Sequence, residues 1–229
     1  MYSHFNDPSA GAAVQTRKAL DKIFTAYVTS PKDSPDELNI EGTGKLLEDL
    51  EIGLEDIGSL VFFELVKSPQ IGVITRDGFV SSPLSLAACD SVPKIRNHVL
   101  AQRAVVGTDW ELFKRVYNHT FTLMIEERKK AIDLEQAEGF WRVLFSPEDG
   151  WAWRTDKTPW LDWWLEFLNA KWGKAVNRDL WRQTLTFAGK SVEDDSLSFW
   201  SEEGSWPSVI DDFVEWVRSE KRGGDKMEE

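Results

Sequence analysis

One cysteine, three histidines and a few runs of adjacent carboxylates are the side chains through which this 229-residue chain could do chemistry. Cys89, beside Asp90, has no local base to draw off its proton, and a buried structural thiol is the expected role. A thioester-forming ligase needs a reactive, accessible cysteine, and none is evident. His4 lies near the N-terminus, while His98 and His119 fall in segments that read as helix. Neither helical histidine has a Cys, His or carboxylate at metal-ligand spacing, so structural or surface roles are expected, with no metal and no cofactor. Glu193-Asp194-Asp195 resembles the metal-binding aspartates of helical prenyl-converting enzymes, yet no second acidic motif is present to face it. No glycine-rich phosphate loop occurs. Carboxylates can also serve docking, offered to a basic partner. Its clearest candidate is Asp211-Asp212, which follows the turn Glu202-Glu203-Gly204-Ser205-Trp206-Pro207. Val209, Ile210, Phe213, Val214 and Val217 recur at three- and four-residue spacing and mark one core face of a helix. Asp211, one position past that stripe, is expected at its edge. The plainer role for the pair is to complement the helix macrodipole near an N-terminus.

The elements that must carry these residues read as helix throughout. Residues 1–15 are small and polar, a leader, and Leu20, Ile23, Phe24, Tyr27 and Val28 mark an amphipathic helix after it. Ser30-Pro31-Lys32-Asp33-Ser34-Pro35 breaks that helix. Helices are predicted over 42–51 and 55–67, and a short one after Thr75, a suitable N-cap. Ser91 precedes a Pro93 that fits a first turn. Thr108 with Glu111, and Asp133 with Gln136, have capping-box spacing. Pro159 is expected to open a helix bearing Trp160, Trp164, Phe167, Leu168 and Trp172, and Asn177 to cap the helix of Trp181. Pro207 suits the first turn of the last helix. No alternation is long enough to build a sheet, and no fixed-period repeat occurs.

A chain of this length can bury about 70% or more of its unfolded surface, enough for one well-filled domain. The formal charge of −12 argues against a general nucleic-acid or anionic-membrane binder and favours basic partners. A single cysteine forms no internal disulfide, which suggests a reducing compartment. No apolar run reaches the ~18–20 residues of a membrane span, and no signal-peptide pattern opens the chain. A soluble protein of cytoplasm and nucleus is expected.

Several short words then appear in a fixed order. Asn39-Ile40-Glu41-Gly42 is followed by Leu46, Leu47, Glu48, Asp49 and Leu50. After these come Tyr117-Asn118-His119-Thr120-Phe121, Ile132-Asp133-Leu134-Glu135, Phe140-Trp141, Asn177-Arg178-Asp179-Leu180-Trp181 and the Glu-Glu-Gly-Ser-Trp-Pro turn. Together they resemble the defective-in-cullin-neddylation family, whose shared module is the PONY (potentiating neddylation) domain. The match runs from about residue 17 to about residue 218. The resemblance implies an all-α fold: a single helical domain with an EF-hand-like helix–loop–helix N-terminal half and a C-terminal helical half. Residues 1–16 are then a flexible leader, 17–218 the PONY domain and 219–229 a flexible charged tail. The Asp33–Glu48 region lacks the Asp-x-Asp-x-Asp-Gly ladder of a calcium loop, so no calcium is expected there.

The function implied is that of a non-catalytic scaffold. Family members bind a cullin's C-terminal winged-helix domain and, separately, the N-terminally acetylated conjugating enzyme that carries a ubiquitin-like modifier, and so speed its transfer to a cullin lysine. The cullin contact is an acidic patch whose positions match Asp179, Ser205 and Asp211, with Ser205 in place of the usual alanine. The conjugating-enzyme pocket matches Ile40, Thr43, Ile57, Leu60, Leu123, Phe140 and Val143. Thr43 replaces what is often a larger apolar residue, and Gly72 stands where a cysteine can occur. The Trp-bearing loop at 146–158 is longer than the family pattern, and packing of Trp151 and Trp153 on the domain or on a partner is expected. The stretch before the first helix is too short for the ubiquitin-binding domain that some members carry, so that role is not implied. A monomer is expected. The rival readings are a helical adaptor whose acidic face takes another basic partner and, more weakly, an acid/base enzyme built on the carboxylates.

Overall fold

Side-chain caps start many of the helices. The computed structural model describes residues 8–29 and 34–223. Residues 1–7 of the leader with His4, residues 30–33 of the turn-rich break, and residues 224–229 of the tail lie outside the described residues. The chain is predominantly helical and divides into two compact units, Met1–Met124 and Ile125–Glu229, where the sequence suggested one domain.

In the first unit α1 spans Pro8–Ala26 and begins inside the expected leader. Pro8 suits a first turn, and the Ala-rich run after it has high helix propensity. Strand β1 (Glu37–Leu38) leads into α2 (Ile40–Asp49), and β2 (Ile74–Thr75) leads into α4 (Arg76–Val80). The two short strands pair antiparallel, Glu37 opposite Thr75 and Leu38 opposite Ile74. Asn39 accepts the Gly42 N–H at 2.9 Å and Thr75 accepts that of Gly78 at 3.1 Å, so each strand hands over directly to a capped helix. Between them α3 (Ile57–Leu65) is buried along its whole length, as a helix apolar on nearly every side must be. Its one charge, Glu64, is paired with Lys67 and lies 3.8 Å from Arg115. Helices α5 (Val92–Val105) and α6 (Trp110–Met124) pack on α3. The cap of α6 differs from the sequence expectation. Asp109 accepts the Leu112 N–H at 3.0 Å, while the Thr108 hydroxyl turns back to the Val105 carbonyl at 3.1 Å. Of two adjacent oxygens, the carboxylate is the stronger acceptor at a helix N-terminus.

The second unit repeats the strand-to-helix device. Strand β3 (Ala131–Ile132) enters α7 (Leu134–Leu144), and β4 (Val176–Asn177) enters α9 (Arg178–Glu193). The strands pair with Ala131 opposite Asn177 and Ile132 opposite Val176. Asn177 caps α9 through the Leu180 N–H at 2.8 Å, whereas Asp133 holds the cap position of α7 with no side-chain bond there. Helix α8 (Trp160–Phe167) runs on into a π-turn (Leu168–Trp172) that ends at Gly173, and α10 (Ser208–Trp216) runs on into another (Val217–Lys221). Pro159 and Pro207 sit at the cap positions of α8 and α10, one residue before the first turns.

Aromatic rings fill this unit. Trp141 stacks on Trp181 at 5.2 Å, and Trp164 meets Phe213 edge-on at 5.0 Å. The Trp-bearing loop joins this core. Trp153 is 1% exposed, its ring lies 5.1 Å from Phe145, and its indole N–H donates to Ser191 at 2.9 Å. Gly150 makes the fold-back possible, because a Cβ there would stand 2.1 Å from the Leu144 carbonyl oxygen. Asp195 anchors the far end of the loop, accepting from Thr155 (2.8 Å), Thr158 (3.1 Å), the Trp160 indole (3.1 Å) and Arg222 (3.3 Å).

Candidate functional site

The three acidic-patch residues all lie in the second unit. Asp179 is exposed in the first turn of α9, where its charge complements the helix dipole. Ser205 is exposed in the turn before α10, a turn closed by the Gly204 N–H on the Ser201 carbonyl at 2.9 Å. Trp206, the next residue, packs edge-on against Phe187 of α9 at 5.9 Å and Phe199 at 6.1 Å. Phe187 also meets Phe213 of α10 at 5.7 Å, so the turn and both helices share one aromatic anchor. Asp211 falls in the first turn of α10, half-buried at the edge of the stripe formed by Val209, Ile210, Phe213 and Val214. Its neighbour Asp212 is exposed. Ser205 and Asp211 thus flank one helix start. Asp179 lies two turns from Phe187 along α9, about 12 Å by helical rise. Among the described residues no hydrogen bond or ion pair joins the three.

Asp211 carries a contact that sequence reasoning missed. Its Oδ1 accepts the Trp200 indole N–H at 2.9 Å, and the Arg218 guanidinium lies 4.7 Å over the Trp200 ring. No periodic pattern links positions 200 and 211. The only sequence signal is a tryptophan upstream of the Trp-Pro step.

The apolar set is distributed between the units. In the first, Ile40 opens α2 with 76% of its surface exposed, while Ile57, Leu60 and Leu123 are buried. Thr43 is 1% exposed, and its hydroxyl has no hydrogen-bond partner among the described residues. Gly72 stands against Ile40 with φ of +78°, and a Cβ there would lie 3.0 Å from Ile40 Cγ1. A side chain at 72 therefore strains the backbone and displaces Ile40. The next bond along ties this turn to α6, the Ile71 N–H donating to the Leu123 carbonyl at 3.4 Å. In the second unit Phe140 and Val143 are half-buried on α7.

Burial shapes two of the remaining candidates, Cys89 and His119. Burial pushes the Cys89 thiol up, which disfavours a thiolate. Burial also lowers the His119 imidazole, beyond what Glu64 offsets, so it stays neutral at physiological pH. Among the described residues no three His, Cys, Asp or Glu side chains are placed to hold a metal.

Comparison with known proteins fixes the family. The Cullin binding family model matches residues 94–216, more than half of the chain. Defective in cullin neddylation protein 1 of Pyricularia oryzae is 38% identical over 231 residues, covering 96% of this chain and 82% of the relative. The chain belongs to the defective-in-cullin-neddylation family. The protein of the same description from Cryptococcus neoformans is 31% identical over 242 residues, 95% of this chain and 82% of its own length. Human DCN1-like protein 5 is 28% identical over 185 residues, covering 80% and 73% respectively. The family model includes Asp179, Ser205, Asp211 and the Trp200 that holds Asp211.

Proposed function

We infer that this chain activates cullin neddylation as a non-catalytic scaffold. It binds a cullin winged-helix domain and an N-terminally acetylated conjugating enzyme, and orients transfer of the ubiquitin-like modifier to a cullin lysine. The transfer chemistry stays on the conjugating enzyme's own cysteine. Two docking contacts turn a poorly oriented encounter into a nearly unimolecular one, which is where the acceleration arises. Family membership over 96% of the chain carries this conclusion.

The contacts are our assignment. Asp179, Ser205 and Asp211 form the cullin-binding patch, supported by the exposure of Asp179 and Ser205 and by the half-buried Asp211, all in one unit at the starts of α9 and α10. In the first unit Ile40, Thr43, Ile57, Leu60 and Leu123 take the acetylated methionine. Acetylation removes an ammonium that would be costly to desolvate in such apolar company, and Ile40, a large exposed apolar side chain, supports the reading. We also assign the first unit an EF-hand-like arrangement, because β1 and β2 pair immediately before two capped helices. The PONY domain is assigned to 17–218, and the protein to cytoplasm and nucleus.

Single-turnover transfer from a charged conjugating enzyme to a cullin C-terminal domain tests the reading. Wild-type protein is expected to accelerate transfer, and Asp211→Lys to abolish the acceleration at a temperature where circular dichroism shows the variant still folded. Acceleration by the variant at matched salt would remove Asp211 from the interface. No acceleration and no binding by the wild type would leave a helical adaptor for another basic partner.

A further inference from the structure

The acidic run Glu193-Asp194-Asp195 suggested no convincing chemistry in the sequence, yet it builds the loop behind Asp211. The Asp194 carboxylate accepts the backbone N–H groups of Ser196 (3.0 Å) and Ser198 (2.8 Å) and both hydroxyls, at 2.5 and 2.6 Å. The two serine hydroxyls lead in holding its pKa down at about 2, so it is ionised under all ordinary conditions. Leu197 adopts φ of +61°, and the Trp200 N–H returns to the Leu197 carbonyl at 3.2 Å. A leucine in the left-handed region persists only where its surroundings determine it. Here Asp194 supplies four of the bonds, and the Leu197 side chain is fully buried.

This closed loop delivers Trp200. The residue is 7% exposed, with its N–H edge on Asp211 and its face under Arg218. Both contacts suit the ring, whose edge is positive and whose face is negative. Asp211 is therefore held through Oδ1, while Oδ2 makes no hydrogen bond among the described residues. A carboxylate fixed in this way has already lost the rotamer freedom that a free surface aspartate must give up on binding. Fixing one such side chain in advance is worth about 2- to 10-fold in affinity.

We propose that Trp200 is a positioning residue for cullin docking: its indole N–H holds Asp211 so that Oδ2 meets the basic partner, and the loop capped by Asp194 holds Trp200. The proposal rests on the assignment of Asp211 to the cullin interface. Trp200 acts through Asp211 and leaves the net charge of the surface unchanged when altered.

A double-mutant cycle tests it. The full chain, as wild type, Trp200→Phe, Asp211→Ala and the double variant, is titrated with a cullin C-terminal winged-helix domain. Phe keeps a ring beneath Arg218 and removes the donor. Trp200→Phe is expected to weaken binding about 3- to 10-fold, and less than about twofold once Asp211 is already Ala. Its binding should keep the salt dependence of the wild type, because no charge has changed. Where Phe lowers the melting temperature, benzothienylalanine placed at position 200 preserves the ring shape without the N–H and carries the same expectations. Wild-type affinity with either replacement overturns the proposal, as does an equal loss in both backgrounds, which would mark general packing. Unchanged binding by Asp211→Ala overturns the interface assignment itself, and the proposal with it.

Discussion

Replacing Trp153 separates a structural loop from a partner-binding one. The ring is 1% exposed and stands 5.1 Å from Phe145, 6.2 Å from Trp164 and 6.3 Å from Phe187. Trp153→Ala opens a cavity among rings that cannot collapse into it, at a cost of about 3–5 kcal/mol. For a chain of this size that corresponds to a fall in melting temperature of roughly 6–20 °C. The hydrogen bond is dissected separately. Ser191→Ala leaves the indole N–H buried without an acceptor, costing about 1–3 kcal/mol, more than deleting a solvated hydroxyl would. In the Trp153→Ala background the same serine change should cost much less, since the donor is gone. Melting followed by circular dichroism is the assay, because 12 tryptophans prevent fluorescence from reporting on one. Cullin binding measured well below the melting transition should stay near wild type. The opposite pattern, unchanged melting with weakened cullin binding, would refute the packing argument and make the loop a partner contact.

Three further outcomes are expected. Burial pushes the Asp56 carboxyl up, but hydrogen bonds from Arg103 and the Gly58 N–H, with the Arg103 charge, outweigh it and leave the group below the usual carboxylate range. A depressed carboxylate contributes stability above its unfolded pKa, so the stability difference between wild type and Arg103→Gln should be full above about pH 5 and shrink as pH falls through the acid range. A difference that grows on acidification would contradict that sign. Thr43→Val removes a buried hydroxyl that has no partner, and should raise stability by about 1 kcal/mol in thermal or urea unfolding; a loss would reveal a bond to that hydroxyl. An acetylated N-terminal peptide of the conjugating enzyme should bind at least about tenfold better than its free-amine form by calorimetry, and equal affinities would reject the apolar assignment.

Local signals in the sequence located the elements well. Thr75 and Asn177 are caps because each needs only an oxygen two or three residues before an orphan N–H, and the chain order supplies that directly. The α10 stripe and the position of Asp211 at its edge follow from a 3.6-residue period. Local ambiguity marks where the reading slipped. Thr108 and Asp109 are adjacent oxygens competing for one cap, and α2 starts at Ile40, two residues before the predicted 42.

By itself, then, the sequence pointed to the helical class, the order of the helices and the family. The tertiary structure decided how those residues are held. Trp153 meets Ser191 across 38 positions, Arg222 meets Asp195 across 27, and Trp200 meets Asp211 across 11. No period or cap rule spans such separations, since they arise only when packed helices bring distant side chains together. The run at 193–195 shows the difference most clearly. Its composition resembled a metal-binding motif that lacked a second acidic run to face it, but in the folded chain Asp194 closes a loop and Asp195 anchors another. The physical reason is that a carboxylate's role is set by the donors around it, and which donors those are is a property of the fold.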